Sequence, residues 1–132
     1  LNISNAVIPK MIENNAGRII NISSILGIRP LKLVGAYSIS KSALIQMTKS
    51  QSIELAKHNI LVNAMAPGYI ITDLNREFLE SNKATSLINK IPLKRFANVN
   101  ELSIVLKMLV DPNNTYMTGT IINIDGGMSA SL

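Results

Sequence analysis

A serine, a tyrosine and a lysine stand at a spacing that suits proton transfer. Tyr37 follows Ser24 by thirteen residues and precedes Lys41 by four. Residues four apart on a helix share one face, so the Lys41 ammonium can lie beside the Tyr37 phenol. A free phenol has a pKa of about 10, and a cation at ~4 Å favours the phenolate by roughly 4 kcal/mol at an effective dielectric constant of about 20. Tyr37 is therefore predicted to exchange protons near neutral pH.

The pattern of Ser24 followed by Tyr-x-x-x-Lys resembles the active site of the short-chain dehydrogenases/reductases. Further segments resemble that family in the expected order. Gly17 to Gly27 (GRIINISSILG) is similar to its strand leading to the catalytic serine, and Asn63 to Thr72 (NAMAPGYIIT) is similar to its Asn-x-x-x-Pro-Gly-x-x-x-Thr cofactor segment. Ile91 to Met128 resembles its last helix and last strand. The resemblance covers virtually the whole chain.

The resemblance implies a role for each of the predicted catalytic residues Ser24, Tyr37 and Lys41. Tyr37 would be the general acid in carbonyl reduction and the general base in alcohol oxidation. Lys41 would assist the phenol and hold the ribose hydroxyls of a cofactor, while Ser24 would orient the substrate oxygen. Ser23 is the alternative serine, but it stands fourteen residues before Tyr37, so its hydroxyl is assigned to the turn.

The implied cofactor is NAD or NADP. Pro67 and Gly68 resemble the family's turn beneath the nicotinamide, where a glycine lets the backbone approach the ring; an ordinary strand-ending turn is the alternative. The Ile70 backbone and the Thr72 hydroxyl would bind the carboxamide and phosphate region, and Asn63 would brace the loop. The predicted cofactor-binding residues are Tyr37, Lys41, Pro67, Gly68, Ile70 and Thr72.

The implied reaction interconverts a secondary alcohol and a carbonyl compound. The 3-oxoacyl-carrier-protein reductases and the sugar or polyol dehydrogenases are similar in this region, and both subclasses stay open. A non-catalytic relative that serves as a binding or scaffolding subunit is the alternative from another class. Residues 75–91 correspond to the family's substrate-covering segment and would set the substrate. That segment mixes apolar and charged side chains: Phe78, Leu79, Leu87 and Ile88 with Arg76, Glu77, Glu80 and Lys83.

Composition bounds the other functional classes. With 47% apolar and 16% charged residues, the 132-residue chain is too hydrophobic for disorder. It has no cysteine and one histidine, His58, so no metal site is predicted. The net charge of +5 is spread along the chain and aromatic residues are 4%, which argues against nucleic-acid binding. No apolar run reaches the ~18 residues of a membrane span, and a cytoplasmic location is expected.

Family members begin with a strand and a Thr-Gly-x-x-x-Gly-x-Gly turn for the dinucleotide pyrophosphate, and no such turn occurs in this chain. Residues 1–132 are expected to be the C-terminal part of a single NAD(P)-binding Rossmann-like domain, with the glycine-rich half and the catalytic asparagine before Leu1. Asn14 to Gly17 imitates the family's Asn-Asn-Ala-Gly motif but follows a helical segment. We expect a helix stop there, with Gly17 in a left-handed conformation. The resemblance implies a homodimer or homotetramer.

Alternating strands and helices must position these residues. Near-continuous apolar strands between helices predict a doubly wound α/β fold around a parallel sheet, here with about three strands. Ligands of such sheets bind at the carboxyl ends of the strands, where Ser24 and the Pro67-Gly68 turn are expected. The expected helices are 3–13, 37–57 (ended by Asn59), one or two short helices within 73–90, and one capped by Asn98 or Asn100 that runs to Val110. The expected strands are 18–23, 60–64 and 120–124.

The 132-residue chain is predicted neither to fold robustly nor to bind a dinucleotide tightly by itself, because its first strand would expose an unpaired edge. Size-exclusion chromatography, thermal melting and a dinucleotide titration check this. A monodisperse sample that melts cooperatively would contradict the prediction.

Overall fold

The computed structural model describes residues 2–79, 81 and 84–131. The helices are α1 (Asn2–Glu13), α2 (Gly35–Leu55), α3 (Arg76–Leu79), α4 (Thr85–Ile88) and α5 (Val99–Val110). The strands are β1 (Gly17–Ile22), β2 (Ile60–Pro67), β3 (Ile70–Ile71), β4 (Ala97–Asn98) and β5 (Ile121–Ile124), with short 3₁₀ helices at Ile25–Gly27 and Ala56–His58. None of the described helices has the length and apolar character needed to cross a membrane. Glu80 and Lys83 of the predicted substrate-covering segment lie outside the described residues.

Three parallel strands form the main sheet in the order β1-β2-β5. The register pairs Gly17 of β1 with Ile60 of β2, and Ala64 of β2 with Ile121 of β5. A second, two-stranded parallel sheet joins β3 to β4. The predicted α/β fold, with a parallel sheet of three strands and flanking helices, is confirmed.

Strand β2 is the central strand and is buried from Ile60 to Ala66, because strands pair with both of its edges and helices α2 and α5 pack on it. Its polar residue Asn63 is fully buried. The Asn63 amide donates to the Met117 carbonyl at 2.7 Å and accepts from the Thr120 N–H at 3.0 Å. The buried amide is therefore satisfied, and its partners lie in the segment that leads into β5, not in the loop after β2 that Asn63 was expected to brace.

Helix α2 carries Tyr37 and Lys41 and is tied to β1 by a buried threonine. Thr48 accepts a hydrogen bond from the Asn21 amide at 2.9 Å and donates to the Leu44 carbonyl at 2.8 Å. After α2 the chain continues as a 3₁₀ turn, which Asn59 ends in the left-handed conformation (φ 55°), as predicted.

Two apolar clusters stabilise the fold. The first lies between the main sheet, α1 and α2, and contains Ile19, Leu55, Ile60 and Val62, with Ile8 and Met11 packed against them. The second contains Leu79, Ala84, Ile91 and Phe96, against which Tyr69, Ile71 and Met128 pack. The second cluster anchors the described part of the segment that is expected to cover the substrate.

The turn between α1 and β1 differs from the expectation. Asn15 takes the left-handed conformation (φ 48°), whereas Gly17 does not and instead begins β1. A Cβ on Gly17 would lie 2.7 Å from the Met11 sulfur, so packing against α1 explains this glycine. The strand predicted to end at Ala64 continues to Pro67, because its last four residues pair with β5.

An ion pair fixes the start of α5. Arg95 donates to the two carboxylate oxygens of Glu101 at 2.8 and 2.9 Å, and Glu101 also accepts from the Asn98 N–H at 2.8 Å. Asn98 is the N-cap, one of the two caps predicted. The hydrogen bonds from Arg95 and from the Asn98 backbone lower the pKa of Glu101 to about 2.

Glu101 is expected to stabilise the fold only while it is ionised. Because its pKa is lower in the folded state, its contribution is complete above the unfolded value of about 4.3 and is lost as the pH falls towards 2. Glu101→Gln should lower the urea midpoint at neutral pH, and this difference should disappear in strong acid. Glu54→Gln is the control, because Glu54 is exposed and forms no ion pair with the described residues. A difference that grows in acid would contradict the prediction.

Candidate active site

A cavity of about 290 Å³ lies beside the carboxyl ends of β1 and β2, the edge at which parallel sheets bind ligands. Its lining comes from several separate segments of the chain. The lining residues are Ser24, Ile25, Leu26, Tyr37, Gly68, Tyr69, Ile70, Thr72 and Asn75. The structure thus brings together five predicted site residues: Ser24, Tyr37, Gly68, Ile70 and Thr72. The other two, Lys41 and Pro67, are not among the lining residues.

Ser24 and Ser23 follow β1 and have different contacts. Ser24 is extended (φ −162°) and caps the 3₁₀ helix, where its Oγ accepts from the Leu26 N–H at 3.1 Å. Its own hydroxyl proton remains available to a ligand in the cavity. Ser23 is buried, and its Oγ donates to the Lys41 carbonyl at 2.9 Å. The turn role assigned to Ser23 is therefore wrong: Ser24 caps the turn, and Ser23 joins the end of β1 to α2.

Tyr37 lies in the first turn of α2, with 47% of its surface exposed. Its hydroxyl makes no hydrogen bond with the described residues. The Lys41 Nζ lies 5.6 Å from the centroid of the Tyr37 ring, within cation–π range. The same Nζ donates to the Ile22 carbonyl at 3.0 Å. The predicted proximity of ammonium and phenol is present, and the last carbonyl of β1 holds the ammonium there.

The 3₁₀ helix after Ser24 packs directly on the backbone of α2. A Cβ on Gly27 would lie 2.7 Å from the carbonyl carbon of Lys41 and 2.9 Å from its oxygen, distances that no side chain tolerates. Ser42 adds a hydrogen bond from its Oγ to the Gly27 carbonyl at 2.6 Å. This close approach, which the sequence pattern alone did not single out, sets the separation between Ser24 and Tyr37.

Pro67 and Gly68 end β2 beside β5. Pro67 pairs with Ile124, and the Gly68 N–H donates to the Ile124 carbonyl at 2.9 Å. A Cβ on Gly68 would lie 2.9 Å from the Cα and the Cβ of Asp125. The contact with Asp125 therefore explains why residue 68 is a glycine. The close approach of the Gly68 backbone to a nicotinamide ring stays a prediction.

Asn75 organises the loop that follows Gly68. Its Nδ2 donates to the Ile70 carbonyl at 3.0 Å, and its Oδ1 accepts from the Thr72 N–H at 2.8 Å. The Thr72 hydroxyl makes no hydrogen bond with the described residues and remains available to a ligand, whereas the Ile70 carbonyl is engaged. The sequence analysis missed Asn75; an asparagine shortly after a strand, a residue type that favours side-chain-to-backbone turns, is the signal that points to it.

Tyr69 places a second phenol in the cavity lining. Its ring centroid lies 5.9 Å from that of Phe96, with the rings tilted by 58°. Burial raises the pKa of Tyr69 above the ordinary 10.0. A raised pKa makes the Tyr69 phenol a weaker proton donor and its phenolate scarce, and the acid–base role remains predicted for Tyr37.

Asp125 holds the C-terminal turn through both oxygens of its carboxylate. Oδ1 accepts from the Gly127 N–H at 3.0 Å, and Oδ2 accepts from the Ser129 N–H at 2.7 Å. Gly126 and Gly127 have φ values of 63° and 87°, which favour glycine. The Asp125 carboxylate therefore has a structural role.

The residues around the cavity fit a nicotinamide and its ribose. The Tyr37 and Thr72 hydroxyls are unengaged and can donate or accept, and Lys41 adds a cation next to Tyr37. A carboxamide and a ribose diol need such partners. Within residues 2–79, 81 and 84–131, no group of three or more His, Asp or Glu is placed to hold a metal ion.

Comparison with known proteins identifies the family. The family profile described as enoyl-(acyl carrier protein) reductase matches residues 1–129. A 3-oxoacyl-(acyl-carrier-protein) reductase of Thermotoga maritima is 40% identical over 127 residues, which are 96% of this chain and 51% of the relative. The chain belongs to the short-chain dehydrogenase/reductase family.

Solved structures agree with this assignment. A gluconate 5-dehydrogenase from Burkholderia cenocepacia, solved in complex with NADP and tartrate, matches with a TM-score of 0.93 at 28% identity over 99% of this chain and 52% of that one. An acetoin dehydrogenase from Enterobacter cloacae matches with a TM-score of 0.84 at 38% identity over 98% of this chain and 50% of that one. The chain spans about half the length of the relatives it matches.

Gly27→Ala should destabilise the protein, because the added methyl group would meet the Lys41 backbone at 2.7 Å. Overpacking of this kind costs about 1–3 kcal/mol, and any relaxation would move Ser24 away from Tyr37. Urea unfolding of the intact protein, including any sequence that flanks these 132 residues, measures the change.

Gly35→Ala is the matched control for Gly27→Ala. A Cβ on Gly35 meets no atom within 4 Å, and alanine is the better helix former, so this variant should be at least as stable as wild type. If both variants have the wild-type urea midpoint, the close approach at Gly27 does not constrain the fold.

Proposed function

We propose that the protein is an NAD(P)(H)-dependent oxidoreductase that interconverts a secondary alcohol and a carbonyl compound. The observation that carries the proposal is the one cavity lined by Ser24, Tyr37 and Thr72, with the Lys41 ammonium 5.6 Å from the Tyr37 ring. Membership of the short-chain dehydrogenase/reductase family supports the proposal.

The residues of the cavity divide the work of alcohol oxidation. The bound cofactor supplies the hydride acceptor. Tyr37, as the phenolate, takes the hydroxyl proton of the substrate while the carbinol carbon loses its hydride and the C–O bond becomes a carbonyl. The Ser24 hydroxyl donates a hydrogen bond to the substrate oxygen and orients it, keeping its own proton. Lys41 places a positive charge beside the ring. In reduction, Tyr37 returns the proton to the same oxygen.

We propose that the cofactor is NAD or NADP and that Tyr37, Lys41 and Thr72 bind its nicotinamide side, near the turn formed by Pro67 and Gly68. The gluconate 5-dehydrogenase relative, which was solved with NADP, supports a dinucleotide. The relatives act on different substrates by name: an acyl-carrier-protein-linked oxoacyl group, gluconate and acetoin. Both predicted subclasses, the oxoacyl reductases and the sugar or polyol dehydrogenases, therefore stay as candidates.

We also propose that residues 1–132 form the C-terminal part of a single Rossmann-like domain, in a cytoplasmic protein that assembles as a homodimer or homotetramer. Helix α5 leaves the apolar side chains of Ile104, Met108 and Val110 exposed. Ile104 and Met108, four residues apart, share one face of the helix, and an exposed apolar face favours contacts between proteins. Light scattering on the intact protein measures the assembly.

Tyr37→Phe tests the proposed chemistry, because it removes the hydroxyl and keeps the ring that Lys41 contacts. In the intact protein, turnover should fall by about 10²–10⁴-fold, the contribution typical of general acid–base catalysis. The thermal midpoint should not change, since the hydroxyl forms no hydrogen bond with the described residues. Absorbance of the reduced cofactor, followed over a panel of ketones and ketoses, measures turnover.

Tyr116→Phe is the matched control, because Tyr116 is fully exposed and lies outside the cavity. It should keep the wild-type rate. Unchanged turnover in Tyr37→Phe would refute the role of Tyr37. Cofactor binding by the wild type without turnover of any carbonyl compound would support the binding or scaffolding alternative.

A further inference from the structure

A second concavity adjoins the candidate catalytic cavity. This groove, of about 570 Å³, shares Ile25 and Leu26 with the cavity as common lining. The rest of its lining comes from the loop after the 3₁₀ helix, the segment after α4 and the C-terminal turn. A substrate bound between Ser24 and Tyr37 would have to pass Ile25 and Leu26 to reach the groove.

The groove is lined by cations and apolar groups. Its charged side chains are Arg29, Lys90 and Lys94, and none of the described lining residues is Asp or Glu. Leu31 and Met128 are among the apolar residues that line it with them. We call this concavity the cationic groove.

The cations of the cationic groove are held in place without being neutralised. Arg29 donates to the Ser131 carbonyl, and the Lys94 Nζ donates to the Asn89 carbonyl at 2.7 Å. Both acceptors are uncharged. Lys90 is exposed, and its ammonium forms no hydrogen bond or ion pair with the described residues. Like charges gathered in a cleft without counter-ions attract an anion more strongly than isolated surface charges do.

We propose that the cationic groove binds an anionic end of the carbonyl substrate, a carboxylate or a phosphate, while the reacting carbonyl lies in the cavity. This inference rests on the proposed function, since it assigns a substrate class to the same site. The apolar residues between the two ends accommodate a hydrocarbon spacer, and the cations contact the charged group. An uncharged ketone of the same length lacks that contact and binds more weakly.

Matched pairs of ketones test the proposal on the intact protein. Levulinate and its longer homologues are compared with their methyl esters, and dihydroxyacetone phosphate is compared with dihydroxyacetone, so the two arms separate a carboxylate from a phosphate. The anionic member of at least one pair should have the lower KM, and added salt should reduce its advantage.

Charge variants locate the effect in the groove. Lys90→Glu should raise the KM of the preferred anionic ketone by about fivefold, the scale of an exposed ion pair, and should affect the uncharged partner less. Arg29→Gln, on a different segment of the lining, should act in the same direction. Lys57→Glu is the control, because it makes the same charge change at an exposed lysine that does not line the groove.

The possible outcomes separate this proposal from the proposed function. Equal KM values within every pair, or equal effects of Lys90→Glu and Lys57→Glu, would overturn the anion site and leave the oxidoreductase assignment standing. If no ketone is turned over, the oxidoreductase assignment fails. Isothermal titration with levulinate and with dihydroxyacetone phosphate then tests whether the groove binds anions. Binding that Lys90→Glu weakens and Lys57→Glu does not would then support the anion site; binding that is absent, or equal in both variants, would overturn it.

Discussion

Contacts made by Lys41 join strand β1 to helix α2, and the arrangement of the candidate catalytic groups depends on them. Ser23 donates to the Lys41 carbonyl, the Lys41 ammonium donates to the last carbonyl of β1, and Gly27 packs on the Lys41 backbone. The three residues that contact Lys41 lie on both sides of Ser24 in the sequence: Ile22 and Ser23 before it, and Gly27 after it. These contacts therefore fix Ser24 relative to the helix. Tyr37 lies one helical turn before Lys41 and is fixed by the same contacts. The lysine that supplies the charge therefore also sets the geometry.

Much of the fold could be predicted because burial has a clear signature in the sequence. Strand β2 is a near-continuous apolar run, interrupted by Asn63, and such runs between helices are typical of parallel sheets covered on both faces. The small β3–β4 sheet escaped prediction because two-residue strands carry no periodic signal. The role of Gly17 also escaped prediction. Its neighbour Asn15 competes for the left-handed position, and the contact with Met11 depends on how α1 packs.

The candidate site was predictable where spacing along one element decides the outcome. Tyr37 and Lys41 share a helix face, so four residues of sequence suffice to bring them together. The parts that were not predicted depend on residues far apart in the chain. Gly68, at the end of β2, packs against Asp125, at the end of β5, and no local sequence pattern near either residue predicts that contact. The different roles of Ser23 and Ser24 also could not be predicted from local sequence, because they depend on where α2 places the Lys41 carbonyl.

The contact between Gly68 and Asp125 couples two walls mechanically. The Asp125 carboxylate holds the C-terminal turn, and Ser129 and Ser131 of that turn line the cationic groove. Gly68 lines the cavity. A Cβ on Gly68 would lie 2.9 Å from the Asp125 Cα, so no room is left for a side chain between the two segments. A side chain at position 68 would have to push the end of β2 away from the C-terminal turn, so the cavity and the cationic groove share one packing constraint.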